Sequence, residues 1–391
     1  MVALVVLVVA LSSSFWLALL GAAVLARARR RDPSPAPPDA FVSVLKPLAG
    51  EDDDLAANLA SFASLSYRRH EILFGVASLA DPAARVARAF LAAHPEVDAR
   101  LVVTDRRAAE NPKVAQLVGL AAAARGDVLV ISDSNVRVAP AYLESLLVAL
   151  ASRASSVAPV GLATSLFVGT GERTLGAALE NVQLTSFIAP AVAASSLSPY
   201  GLTIGKSMAI RVEALAALGG FVRVGHVLAE DHLLGRLVRA AGYGVALTPL
   251  AVENRNVRCD VSRTIERHTR WAKMRRAIAP GPFWLEPLAD PLVVAVASAL
   301  VLHDRSGLAV VAAVALAKTL AAWAVTWLLR GHPLALRYLP IELLRSAAAF
   351  GCWVRAAVSR RVSWRGHPFV LGADSTLLPA PREAAWRASF S

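Results

Sequence analysis

Apolar residues fall into three regimes along the chain. Residues 1–26 (MVALVVLVVALSSSFWLALLGAAVLA) carry no charged side chain. At about 1.5 Å per residue such a helix crosses a hydrocarbon core about 30 Å thick, so this segment is predicted to be a transmembrane helix. From Phe41 onward, short apolar runs alternate with stretches of helical spacing. Residues 41–45, 71–77, 101–103 and 127–131 read as strands, and 55–65, 83–93 and 114–125 as helices. That alternation predicts an α/β domain built on a parallel sheet covered on both faces, with ligands at the carboxyl ends of its strands. Beyond Trp284, apolar stretches return at 288–302, 307–329 and 338–358. The first is short and the second reads as a span interrupted by Lys318. The third carries Glu342, Arg345 and Arg355 and suits an amphipathic helix lying in the membrane interface.

Composition supports the membrane reading. Hydrophobic residues make up 56% of the chain, above the roughly 45–50% of a soluble domain. The 41 Lys and Arg against 29 Asp and Glu leave a net charge of +12, which fits anionic lipid or basic cytoplasmic loops. No zinc-finger spacing or RNA-binding motif accompanies the charge, so nucleic acid is not an expected partner. The basic cluster Arg27, Arg29, Arg30 and Arg31 follows the first apolar run instead of preceding it. That order is unlike a signal peptide, and it predicts an integral membrane protein whose following domain is cytoplasmic. The expected organisation is an anchor at 1–26, a basic and Pro-rich linker at 27–40, an α/β domain at 41–284, membrane or interfacial helices at 285–360 and a tail at 361–391. Cys259 and Cys352 form neither a disulfide framework nor a CxxC pair, as suits a reducing compartment.

Four polar constellations sit where strands end or helices begin. Asp81-Pro82 follows the second strand and reads either as a helix cap or as a ligand-facing acid. Ser132-Asp133-Ser134-Asn135 follows a buried strand, where Asp133 is either a turn residue or a ligand for Mg²⁺ or Mn²⁺, ions that take one or two carboxylates plus substrate phosphates. Glu230-Asp231 opens a helix over 231–241, as dipole-complementing acids or as the site of a general base. In the basic helix around Arg263–Arg276, Arg267 and Arg270 share a face at i and i+3 with Trp271 beside them, suited to anionic lipid or to clasping a diphosphate. No GxSxG, Walker or histidine metal-ligand spacing appears.

Taken in order, these residues resemble the lipid-modifying family 2 glycosyltransferases, and more closely the ceramide glucosyltransferases. The resemblance rests on Val44-Leu45-Lys46-Pro47-Leu48, Glu71 to Val76, Asp81-Pro82-Ala83, Asn111-Pro112-Lys113-Val114, Ser132 to Asn135, Gly205-Lys206-Ser207-Met208, Ala229-Glu230-Asp231 and Arg267-x-x-Arg270-Trp271. Trp364-Arg365-Gly366 near the C-terminus adds to it. It implies a GT-A (Rossmann-like) domain that inverts the anomeric carbon of a UDP-sugar, with a divalent cation and a membrane lipid as acceptor. By the same resemblance Asp81 helps hold the uridine, Asp133 binds the metal, Asp231 is the base, and Arg267, Arg270 and Trp271 close on the diphosphate. Lys113 and Lys206 are further partners of the phosphates. Asn135 stands where the general D-x-D pattern has its second acid. In place of the His-Pro pair of the eukaryotic enzymes, this chain reads Thr185-Ser186-Phe187-Ile188-Ala189-Pro190. Transfer of glucose to ceramide leads these expectations. An amino sugar or uronic acid placed on a hopanoid or other lipid is the alternative within the same chemistry, and an inactive membrane scaffold the alternative outside it.

Overall fold

A computed structural model describes residues 2–28, 39–152, 158–197, 201–303, 305–364 and 367–379. Arg29, Arg30, Arg31, Arg365 and Gly366 lie outside the described residues, as do most of the Pro-rich linker and the side chains of Arg27 and Trp364.

The centre is an eight-stranded sheet: β1 (Val42–Pro47), β2 (His70–Val76), β3 (Ala99–Val103), β4 (Val128–Ser132), β5 (Val136–Arg137), β6 (Val160–Thr170), β7 (Ser207–Arg211) and β8 (Gly244–Arg255), in the order β3-β2-β1-β4-β7-β6-β8-β5. The first four strands pair in parallel, with β1 and β4 buried throughout and β3 at the sheet edge. The sheet is not parallel throughout. Strand β7 runs antiparallel to β4 and β6, and β5 antiparallel to β8, while β6 and β8 pair in parallel. The α/β, GT-A class expected from the sequence therefore holds, with a mixed sheet.

Capping chemistry sets the helices that follow β2 and β3. Asp81 accepts from Ala83 N–H at 2.9 Å ahead of helix Pro82–Ala93. Asn111 accepts from the N–H groups of Lys113 and Val114 ahead of helix Pro112–Ala123. In both, Pro occupies the first helical position, where its missing N–H costs nothing and its fixed φ suits the helix.

Helix Val2–Ala28 leaves Leu7, Leu11, Phe15, Leu17 and Leu25 exposed, while Trp16, Leu20 and Ala23 pack on Ala189, Val192 and Ala193 of helix Ala189–Ser195 and on Ala322, Val325 and Leu329 of helix Arg305–Arg330. A helix apolar on every side but one packed seam is suited to lipid. Among the described residues, two helices are long and apolar enough to cross a membrane, over Val5–Ala26 and Arg305–Arg330. The short apolar stretch after Trp284 forms a bent pair, Pro280–Ala289 and Pro291–Leu302, turned by 72°. Glu342 and Arg345 of helix Ile341–Val358 are buried inside the protein, so these two do not form the outward polar face of an amphipathic helix.

The segment expected to be a tail folds, over residues 361–379, into a three-stranded antiparallel sheet of Arg361–Trp364, His367–Leu371 and Leu377–Pro379. It braces the loop before Glu230. Leu228 N–H donates to Ser375 O at 3.0 Å, Leu377 N–H to His226 O at 2.9 Å, and Ala229 N–H to Ser375 Oγ at 3.1 Å.

Candidate active site

The carboxyl end of β4 delivers Asp133 to a cavity of about 940 Å³. The same cavity is lined by Asp81, Lys113, Lys206, Asp231, Arg267, Arg270 and Trp271, so every residue singled out from the sequence reaches one site. Lys113, aimed by the Asn111 cap, places Nζ 2.9 Å from Asp133 Oδ1, 3.0 Å from Glu230 Oε1 and 3.0 Å from the Gly205 carbonyl. Lys206 Nζ lies 3.2 Å from Asp133 Oδ2 and donates to Asn135 Oδ1 at 3.2 Å. Burial alone would raise the Asp133 carboxyl, but the two ammonium groups outweigh it and hold it well below the usual carboxylate range. Burial likewise opposes the charge on Lys113, and the Asp133 and Glu230 carboxylates more than offset it.

Asp231 Oδ2 accepts from Gly205 N–H at 2.6 Å and Oδ1 from its neighbour's N–H, His232, at 2.8 Å. Burial pushes this carboxyl and that of Glu230 above the ordinary range, against the pull of Lys113. Gly205 is required by close approach, since a Cβ there would stand 2.9 Å from Lys113 Nζ and 3.2 Å from Asp231 Oδ2. Glu230 does more than complement the helix dipole: it is buried, paired with Lys113, and accepts from Asn111 Nδ2 at 3.3 Å.

Asp81 is both a cap and a cavity residue, with Oδ1 also accepting from Gly50 N–H at 2.9 Å. The arginines divide their work. Arg267 turns back into the protein, donating to buried Glu180 at 2.8 Å and to Asn256 Oδ1 at 3.2 Å, with His268 Nε2 3.0 Å from the other Glu180 oxygen. Trp271 meets the His268 ring edge-on, with centroids 5.2 Å apart. The shared helical face seen in the sequence is therefore not a symmetric clasp: Arg267 braces the basic helix Val261–Ile278, capped by Asp260, against helix Leu175–Gln183.

The sequence reading missed Glu180, and it found Lys46 only through resemblance. Lys46 is fully buried beneath the site, donating to Ser132 Oγ at 3.2 Å and the Asp133 carbonyl at 2.9 Å over the Phe62 ring. Burial pushes its ammonium down to about 7, with Asp133 pulling the other way. A lysine inside an otherwise apolar strand was the available signal, whereas Glu180 pairs across 87 residues and leaves no local pattern.

Replacing Glu180 with Gln leaves the Arg267 guanidinium facing a neutral amide, a change expected to cost about 3 kcal/mol of stability. Burial raises the Glu180 carboxyl but His268 and Arg267 overcome it and hold it low, so its stabilisation is present above the ordinary glutamate range of about 4.3 and is lost as pH falls toward the native value. The variant's melting temperature drops at pH 7 and converges on wild type in acid. Arg270 also lines the cavity, and Arg270→Ala is expected to weaken nucleotide binding about tenfold, the scale of one charge-assisted hydrogen bond. Thermal melts of the Glu180 variant and nucleotide titrations of the Arg270 variant check the two expectations.

A family model described as Glycosyl transferase family 21 matches residues 3–377. The chain belongs to glycosyltransferase family 21. It is a hexosyltransferase, and its relatives include two proteins of Caenorhabditis elegans. Ceramide glucosyltransferase 3 is 25% identical over 351 residues, covering 86% of this chain and 74% of that protein. Ceramide glucosyltransferase 1 is 28% identical over 259 residues, covering 66% of this chain and 54% of that protein. Among solved structures, the mannosyltransferase PcManGT of Pyrobaculum calidifontis, in complex with GDP-Man and Mn²⁺, shares 20% identity over 90% of this chain and 98% of its own, with a TM-score of 0.49. In this family 21 chain Phe187, Ile188, Val192, Met274, Ile278 and Phe283 line the same cavity as the acids and lysines of the site.

Proposed function

We propose that this chain transfers glucose from UDP-glucose, with inversion, to the hydroxyl of ceramide at the cytoplasmic face of a membrane. The observation that carries this reading is a cavity whose lining joins Asp133, Lys113, Lys206 and Asp231 to the apolar side chains Phe187, Ile188 and Val192, the last on the helix Ala189–Ser195, which packs on the helices Val2–Ala28 and Arg305–Arg330. That pairing suits one ligand with a diphosphate and another with long apolar chains. The names of the Caenorhabditis elegans relatives support glucose and ceramide as the pair.

In this mechanism Lys113, Lys206 and Arg270 face the diphosphate and Asp81 the nucleoside. Asp231 takes the proton from the lipid hydroxyl as its oxygen bonds to the anomeric carbon, and the bond from that carbon to the UDP oxygen breaks. Asp133 and Asn135 offer hard oxygen donors suited to Mg²⁺ or Mn²⁺. No group of three or more His, Cys, Asp or Glu gathers for a metal among the described residues, so the diphosphate and water would complete the coordination, as such ions prefer. The ion, when bound, offsets charge growing on the departing UDP. With Asp133 engaged by such an ion, Lys113 and Lys206 would be free to turn their ammonium groups toward phosphate oxygens.

Membranes containing the chain, incubated with labelled UDP-glucose, UDP-N-acetylglucosamine and UDP-glucuronate, test the reading. Label in a ceramide-based lipid from UDP-glucose supports it. Label passing from another sugar to another lipid replaces it with the amino-sugar or uronic-acid alternative.

The topology is tested separately. Cys259 and Cys352 are buried and unpaired, whereas Val222 is 56% exposed on the domain surface. A Val222→Cys variant is expected to react with a membrane-impermeant maleimide only after the membrane is opened, because the Arg cluster holds the domain inside. Labelling of intact cells would reverse the assignment.

A further inference from the structure

Away from the catalytic acids, four charged side chains meet between the membrane-associated helices: Asp290, Lys318, Glu342 and Arg345, all buried. Lys318 Nζ lies 3.0 Å from Asp290 Oδ2, 2.6 Å from Glu342 Oε1 and 2.6 Å from Ser346 Oγ. Arg345 donates to Glu342 Oε1 and Asp290 Oδ2, each at 2.8 Å. The Trp16 ring lies 5.4 Å from Lys318 Nζ. Two acids and two cations cancel, yet burying them still costs more than an apolar core of the same volume would, so stability alone does not account for the cluster.

The cluster also reaches helix Leu175–Gln183 and the turn that follows it. Arg345 Nη1 donates to Gln183 Oε1 at 2.8 Å, and Ser186 Oγ donates to Glu342 Oε2 at 3.0 Å. Gln183 ends helix Leu175–Gln183, and Ser186 is the middle residue of the π-helical turn Leu184–Ile188 that follows it. Such turns are rare and need support, because they break the regular ladder, and they concentrate at functional sites. The next two side chains, Phe187 and Ile188, line the cavity, and Arg345 Cζ lies 5.5 Å from the Phe187 ring.

We propose that the Asp290–Lys318–Glu342–Arg345 cluster, acting through Gln183 and Ser186 as positioning residues, fixes the π-helical turn so that Phe187 and Ile188 form the wall against which the acceptor lipid's apolar part packs. The inference rests on the lipid acceptor of the proposed function. It couples the seating of the membrane helices to the shape of the acceptor subsite while leaving the diphosphate end untouched.

The test removes the two links and keeps all four charges. In Gln183→Met/Ser186→Ala, Glu342 retains Lys318 and Arg345, and Arg345 retains both carboxylates, so the fold should survive. The full-length variant in detergent is expected to keep its melting temperature within a few degrees, and its kcat and donor KM within about twofold. Its KM for a short-chain ceramide should rise about tenfold or more, the scale of a hydrogen bond to a charged group. Backbone amides of Leu184–Ile188 should exchange hydrogen faster than in wild type, a readout that needs no turnover. An unchanged acceptor KM with unchanged exchange overturns the inference. A parallel fall in melting temperature, kcat and donor affinity also overturns it, by reducing the links to a general structural role. If the wild type glycosylates no lipid, the functional reading fails instead, and exchange in the turn still decides whether the cluster holds it.

Discussion

Asp231→Asn is expected to lower kcat by about 10²- to 10⁴-fold, the usual contribution of a general base. The substitution preserves size and leaves one side-chain oxygen for the Gly205 or His232 N–H, but an amide cannot take the acceptor's proton. Donor affinity should change much less, because the diphosphate is left to Lys113, Lys206 and Arg270. Burial raises the native carboxyl, and a base works only when deprotonated. Wild-type kcat/KM should therefore rise with pH through a value above the ordinary aspartate pKa of about 3.9, and Asp231→Asn should lose that limb. Glu230 and Asp231 are buried neighbours, so the limb belongs to the pair. Glu230→Gln provides the contrast: it loosens Lys113 and should weaken donor binding and stability while leaving most of kcat. Comparable modest losses in the two variants would move the base elsewhere.

Asp133→Ala is the second large effect, with turnover expected to fall by about 10³-fold, on the scale of losing a principal electrostatic group in the transition state. Asp133 holds Lys113 and Lys206 in place through its two carboxylate oxygens. It also lines the cavity at the β4 terminus, where a cation could reach it. The variant should bind nucleotide with an affinity that no longer responds to EDTA or added Mn²⁺, whereas the wild type responds to both. Normal turnover in the variant would remove the site, and a wild type indifferent to EDTA would remove the metal.

Much of this site was legible because its signals are local. Asp81-Pro82 and Asn111-Pro112 each announce a cap and a first helical residue within a dipeptide, and the buried run of β4 ends directly on Asp133. Those features fixed the parallel half of the sheet and four of the functional side chains. The antiparallel strands were not legible. Strand β7 follows a long helical excursion, and β6 and β8 span 11 and 12 residues whose pairing depends on partners far along the chain.

Lys318 shows the same limit more sharply. In the sequence it is a blemish in a membrane span, and Glu342 and Arg345 mark an interfacial helix. With Asp290 they form a neutral buried cluster in which Lys318 meets its acids 28 and 24 residues away, a spacing that no helical or strand period encodes. The residues 361–379 gave no periodic signal either, because their strands are three to five residues long and gain stability by bracing the loop before Glu230.

Direct transfer from a UDP-sugar to a lipid hydroxyl is the central step of the proposed reaction. Its most direct test is the product made by the purified full-length chain in ceramide-containing vesicles supplied with UDP-α-glucose. Proton NMR of the extracted lipid should show a β-linked glucose, with one UDP released per glycolipid and its formation slowed about 10²- to 10⁴-fold in Asp231→Asn. An α-linked product, or UDP release with no sugar on lipid, would contradict it.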